Sequence, residues 1–342
     1  MRNFRKILKT VVIFLLIVGV LSAFFIGCYL KGENYHYQDG RERDAVAGSL
    51  DYIVCGTSNT LFGIKPDVIS YGFTGSCYSL SGTMMTLEGR RALLEQELGR
   101  NPNVKMVLLE VSPDTLLRDR EEEGPTSDLQ ILGRLNDAGL RWDFFRENFP
   151  VREWPAVYYD MVSKGIDCAA KLATGDYTTE NQYMTAGYYE NHNPDKPIPN
   201  NYSDLYHAQT LPETPRAENV EMLAELVELC KQNGRDVLLI MTPQSKYFNC
   251  VYSNLDFFHR WYSEFAEAHG ITYYNFNLAY DKLDKLFDDT CYYDETHLNA
   301  YGAEIFSWML EDILYWHTQG RDNSFYFFDS YEDITWTKGF FD

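Results

Sequence analysis

Basic residues are scarce in this chain. Thirty lysines and arginines face 50 aspartates and glutamates, a formal net charge of −20 over 342 residues. Such a surface repels nucleic acid and anionic lipid headgroups; it identifies no substrate, and solubility alone accounts for it. Metal-like cysteine spacing is lacking as well. Cys28, Cys55, Cys77, Cys168, Cys230, Cys250 and Cys291 form no CxxC pair, so the sequence supports no zinc site. Cys55 and Cys230 fall in apolar periodic segments and read as core thiols, and a disulfide among the other external cysteines stays open. Repeats and low-complexity tracts are missing too, which leaves a globular body.

Charge is also absent from one long stretch, Thr10 to Leu30, whereas the nine residues before it hold Arg2, Arg5, Lys6 and Lys9. As a helix that run spans roughly 30 Å, about one hydrocarbon core. The basic flank predicts a cytoplasmic amino end and an extracytoplasmic remainder, a single pass through the cell membrane. A cleaved signal peptide is the alternative, but its apolar region would be shorter and would end at a small-residue site. Phe25-Ile26-Gly27-Cys28 also has some likeness to a lipoprotein processing site. The expected division is 1–31 as tail and anchor and 45–342 as an extracytoplasmic domain.

Apolar runs ending in glycine or proline predict strands at Asp51–Cys55, Val68–Tyr71, Lys105–Val111, Asp236–Met241 and Ile271–Asn275. Helical spacing predicts helices at Ser79–Gly99, Arg216–Asn233, Asn254–His269 and Asn299–Trp316. The alternation implies an α/β fold, a doubly wound parallel sheet of about five strands covered on both faces. The tract 114–215 is rich in Tyr, Asn and Pro and has no clean period. It reads as an irregular insertion, a lid or substrate platform, rather than a separate domain. Its tyrosines, Tyr158, Tyr159, Tyr183, Tyr188 and Tyr189 among them, suit either sugar stacking or ordinary packing. The aromatic tail from Phe325 is too apolar for a free linker and is expected to pack on the body.

Open α/β sheets bind ligands outside the carboxyl ends of their strands. Gly56-Thr57-Ser58-Asn59 follows the first strand, where a serine in a tight strand-to-helix turn can expose its hydroxyl and its N–H; the same pattern serves as an ordinary helix cap. Gly72-Phe73-Thr74-Gly75-Ser76 follows the expected second strand and allows close backbone approach, or is simply a turn. Asp294-Glu295-Thr296-His297 precedes the last helix. A carboxylate three residues before a histidine can fix its tautomer and free the other ring nitrogen for a hydroxyl proton. The same pair could ligate a metal, but no further His, Asp or Glu cluster accompanies it.

These three pieces, in this order, resemble the SGNH (GDSL-like) hydrolase superfamily over about residues 50–112 and 235–317. The resemblance implies Ser58, Asp294 and His297 as catalytic triad, with the N–H groups of Ser58 and Gly75 as oxyanion donors and no cofactor. His297-Leu298-Asn299 followed by Gly302-Ala303 strengthens it. One departure stands out. The family usually offers an asparagine after the third strand as a further oxyanion donor, and here the residues are Val111-Ser112-Pro113-Asp114. A similar loss, and the single amino-terminal anchor, resemble the anchored proteins of lipoteichoic acid D-alanylation and of alginate O-acetylation. That likeness implies an acyl donor and an envelope glycan as substrates and a multispanning membrane acyltransferase as partner. The expected activity is an extracytoplasmic serine acyltransferase or esterase. The alternatives are an inactive SGNH-like assembly subunit and an esterase of soluble substrates.

Overall fold

In the computed structural model, residues 2–32, 34–73, 75–119, 126–175, 184–191, 207–279 and 288–334 are described. They fall into two compact units, one of 1–41 with 125–182, the other of 42–124 with 183–342.

In the first unit, α1 (Arg2–Gly32) is one unbroken helix, long and apolar enough to cross a membrane over Phe4–Gly32. The helix α2 (Asn34–Val46) follows, and the boundary of the unit falls inside it.

The second unit is built on five parallel strands in the order β2-β1-β3-β6-β7. They are β1 (Leu50–Cys55), β2 (Ser76–Ser79), β3 (Met106–Glu110), β6 (Asp236–Met241) and β7 (Thr272–Asn275). Val54, Leu108, Leu238 and Ile240 are wholly buried, as strands covered on both faces require. Two short strands, β4 (Met184–Thr185) and β5 (Tyr188–Tyr189), form a hairpin, and Ala186 at its turn accepts from Ser79 N at 2.9 Å.

Helices connect these strands. α3 (Ser58–Gly63) and α4 (Pro66–Phe73) lie between β1 and β2, and α5 (Leu87–Arg100) between β2 and β3. After β3 comes α6 (Pro113–Leu117), and the first unit then contributes α7 (Thr126–Arg134), α8 (Ala138–Asn148) and α9 (Trp154–Thr174). The body resumes with α10 (Ala217–Gln232), α11 (Lys246–Val251) and α12 (Leu255–His269), and closes with α13 (Ala300–Thr318).

Within the first unit, α9 runs against α1 so closely that a Cβ on Gly165 would meet the Phe25 carbonyl oxygen at 1.9 Å. Arg134 and Asp39, both fully buried, pair at 3.1 Å. Part of the tract read as an insertion falls in one compact unit with α1, where α7 and α9 pack on that helix. Tyr158 and Tyr159 stand on α9 and are exposed, Tyr183 lies outside the described residues, and Tyr188 is buried in the core of the second unit.

Two elements differ from expectation. Val68–Tyr71 is helical, the middle of α4. A four-residue apolar run has no period that separates strand from helix, and Pro66 favours a helix start. The second strand is Ser76–Ser79, whose serines concealed it. The helix expected from Ser79 begins only at Leu87, capped by Thr86, which accepts from Gly89 N at 3.0 Å. The tail meets expectation as far as Ile334. Phe327 stacks on Tyr274 with ring centroids 5.2 Å apart, and Ile334 is fully buried. All seven cysteines are buried.

Candidate active site

Ser58 opens α3 directly beyond the carboxyl end of β1. Its turn needs Gly56, because a Cβ there would lie 2.4 Å from Thr60 Oγ1 and 2.5 Å from Glu110 Cβ. The first residues of a helix have N–H groups without intrahelical acceptors, so the Ser58 N–H has none within α3.

His297 comes from the segment between the 3₁₀ turn at Asp289–Cys291 and α13. That segment folds on itself. Tyr293 N donates to His297 O at 2.8 Å and Asn299 N to Cys291 O at 3.0 Å. Asn299 then caps α13 by accepting from Gly302 N at 3.0 Å. A Cβ on Gly302 would sit 2.1 Å from the Cys291 carbonyl oxygen, so only glycine fits there. The Leu298-Asn299-x-x-Gly302-Ala303 pattern therefore has a local cause: a buried leucine, a cap, and two small residues under a tight loop.

Geometry joins the three expected residues. His297 Nε2 lies 2.8 Å from Ser58 Oγ, across 239 positions of sequence. His297 Nδ1 lies 2.7 Å from Asp294 Oδ2. Asp294 Oδ1 also accepts from the backbone N–H groups of His297 at 2.8 Å and Thr296 at 2.9 Å. Burial alone would raise the Asp294 pKa. The hydrogen bond from the His297 ring, the Thr296 N–H and the histidine's charge outweigh it and hold the carboxyl at about 2. The Phe62 ring meets the imidazole edge-on at 5.3 Å, and Tyr189 packs edge-on against Phe62 at 5.8 Å.

Gly75 is not brought to this place. β1 and β2 are parallel with Leu50 opposite Ser76 and Val54 opposite Ser79, so Gly75 sits at the amino end of the sheet. There it lies beside Asp51, whose carboxylate accepts from Ser76 N at 3.0 Å. The misplaced second strand caused the error. The glycine that follows the true β2 is Gly82, and its N–H donates to Gly56 O at 3.3 Å, against the serine turn.

After β3 the residues are committed to the fold rather than free to donate. Ser112 N donates to Thr115 Oγ1 at 3.0 Å, and Ser112 O accepts from the Tyr262 hydroxyl at 2.7 Å. A cleft of about 360 Å³ opens at Ser58 and His297. Met84, Met85, Leu87, Phe248 and Leu255 give it an apolar lining, and Asp114 and Arg118 give it charge. Met84 holds the left-handed backbone at φ 52°, uncommon for a side chain of its size. Burial raises the Asp114 pKa, with Arg118 opposing and Glu110 assisting.

Sequence reasoning passed over Glu110 and Arg90. Glu110 is the one charge inside the apolar run of β3, which was the available signal; it is fully buried and contacts the serine turn.

The serine turn after β1 and Asp-x-x-His before α13 meet at one end of the sheet, while Gly75, the expected glycine, does not join them. No family model matches the chain, and no curated protein matches it. Among solved structures it is similar to a GDSL-like lipase from Bacteroides thetaiotaomicron, at 11% identity and a TM-score of 0.37, over 84% of this chain and 99% of that one. It is also similar to a Streptococcus pneumonia protein described as a platelet activating factor, at 13% identity and a TM-score of 0.36, over 88% of this chain and 99% of the other.

Proposed function

We propose that this chain is an SGNH-type serine hydrolase or O-acyltransferase, held by α1 at the membrane and acting outside the cytoplasm on O-acyl groups of an envelope or exported polysaccharide. The observation that carries the reading is the continuous relay from Ser58 Oγ through His297 to Asp294, with both links under 3 Å.

The chemistry follows from that relay. Ser58 Oγ attacks the acyl carbonyl carbon as His297 Nε2 takes its proton, and the carbonyl π electrons move onto oxygen. The Ser58 N–H, at the start of α3, supports the oxyanion. Collapse breaks the bond to the leaving group, which receives the proton from His297, and an acyl-Ser58 ester remains. Water or a sugar hydroxyl then gives its proton to His297 and attacks the ester, and Ser58 regains a proton as it leaves. Asp294 keeps the imidazole in one tautomer throughout and stays anionic. Esterase and transferase differ only in the acceptor admitted to the cleft. The acyl donor, the glycan acceptor and a multispanning membrane acyltransferase as partner remain part of this proposal, motivated by the family resemblance and the apolar anchor helix.

One observation favours a second reading, an SGNH-like subunit without turnover. Of the expected oxyanion donors only the Ser58 N–H has a counterpart at the turn: Gly75 lies at the amino end of the sheet, Ser112 N donates to Thr115 Oγ1 and Pro113 has no N–H. Loss of one such donor costs about 3–4 kcal/mol of transition-state stabilisation. A fluorophosphonate probe separates the readings: the first expects covalent labelling of wild type and none of Ser58→Ala, the second expects neither protein to label.

A further inference from the structure

Glu110 is a fully buried carboxylate beside the site, and no step of the proposed reaction uses it. It stands at the carboxyl end of β3, wholly buried, one strand over from the serine turn. Glu110 Oε2 accepts from Thr57 N at 2.9 Å and from Thr57 Oγ1 at 3.1 Å. Its Oε1 accepts from Asn59 Nδ2 at 3.4 Å. The residues on both sides of Ser58 are therefore tied to one carboxylate. Arg90, from α5, holds that carboxylate from behind, with NH2 3.4 Å from Oε2 and NH1 2.6 Å from the Glu110 carbonyl oxygen. Arg90 is itself only 2% exposed.

Thr57 gives a second indication. It occupies the N-cap position of α3, where a threonine hydroxyl ordinarily accepts from the N–H of the second or third helical residue. Here the side chain makes no cap hydrogen bond, and its hydroxyl donates sideways to Glu110. The cap of α3 is thus tied to β3 through its side chain, while Leu61 N closes the first turn on the Thr57 carbonyl at 3.0 Å. Gly56 completes the fit, since any side chain there would collide with Glu110 Cβ.

We propose that Glu110 is a positioning residue for the nucleophile. It fixes the Gly56–Asn59 turn so that Ser58 Oγ meets His297 Nε2, and it engages the Thr57 N–H so that the Ser58 N–H alone faces the oxyanion. This rests on the serine-hydrolase reading above. A charged pair in an otherwise apolar layer is costly to bury, and a requirement to hold the turn accounts for its being there.

The test uses the full chain in detergent or nanodiscs, a p-nitrophenyl acyl ester as substrate and a fluorophosphonate as probe. Glu110→Gln keeps the shape and removes the charge. The expected result is a fall in kcat and in labelling rate of about 100-fold with KM within twofold, the size of effect that an ångström-scale misplacement produces. Thr57→Val removes one donor at a partly exposed position and should slow both by about fivefold with an unchanged melting temperature. Thr57→Ser keeps the hydroxyl and should restore the rate. If Glu110→Gln folds and both rates stay within twofold of wild type, the proposal is overturned; a raised KM at unchanged kcat overturns it equally. If Glu110→Gln does not fold, Thr57→Val decides, and an undiminished rate there is fatal to the proposal. Absence of labelling in wild type would instead sink the serine-hydrolase reading, so the two failures are told apart.

Discussion

The two halves of the candidate site are held in opposite ways. The histidine half is local: Asp294 sits three residues before His297 and accepts from two N–H groups of its own loop, while Asn299 and Gly302 close the loop against Cys291. The serine half is held from a distance: Thr57 and Asn59 reach a carboxylate on β3, backed by an arginine on α5. The burial differs in the same sense, since the Asp294 side chain is 35% exposed and that of Glu110 is 0% exposed. A local clamp can be written in a short motif, whereas a distant one exists only once the sheet has formed. That is why the Asp-x-x-His block is readable in sequence and the support of the serine turn is not.

The comparison can be broken at each half. The largest effect is expected from His297→Ala, which removes the proposed base and should lower ester turnover by at least about 1,000-fold in a steady-state assay, with the protein still folded by circular dichroism. Asp294→Asn should follow at about 1,000-fold or more, because the amide favours the wrong imidazole tautomer. Glu110→Gln should come next, as argued above, and its effect would show that the distant clamp matters less than the chemistry it serves. Gly302→Ala tests the local clamp without touching a reacting group. A Cβ would overlap the Cys291 carbonyl, so a destabilisation of about 1–3 kcal/mol by denaturant titration is expected.

The smallest effect concerns pH. The Asp294 carboxyl has its pKa lowered from 3.8 to about 2, so its contribution to stability is present above the ordinary carboxylate range and lost as pH falls through the folded value. The stability gap between wild type and Asp294→Asn should therefore close as pH falls between about pH 4 and pH 2. A gap that closes near neutral pH would contradict this assignment of the carboxylate.

Four of the five strands of the sheet were legible because β1, β3, β6 and β7 carry apolar or aromatic runs bounded by glycine or proline. β2 was not, since Ser76-Cys77-Tyr78-Ser79 offers little apolar contrast and the more apolar Val68-Ile69 beside it belongs to a helix. That single slip carried Gly75 into the expected oxyanion pair, although parallel registry puts it at the far end of the strand. Ser58, His297 and Asp294 were legible because each belongs to a motif whose neighbours, Gly56, Asn299 and Gly302, are fixed by close backbone contact. Glu110 and Arg90 were not, because pairing across 20 residues of α5 and loop leaves no pattern along the chain. The association of 126–175 with α1 was equally hidden. It rests on Gly165 packing against a helix some 140 positions earlier, a contact between segments that no spacing rule connects.

The central claim is that Ser58, activated by His297, is a nucleophile. The most direct measurement is intact-protein mass spectrometry after brief exposure to a fluorophosphonate, with the modified peptide sequenced. The account predicts one adduct per chain, on Ser58, lost in Ser58→Ala and strongly slowed in His297→Ala. An unmodified wild type, or an adduct that forms equally well in Ser58→Ala, would contradict it.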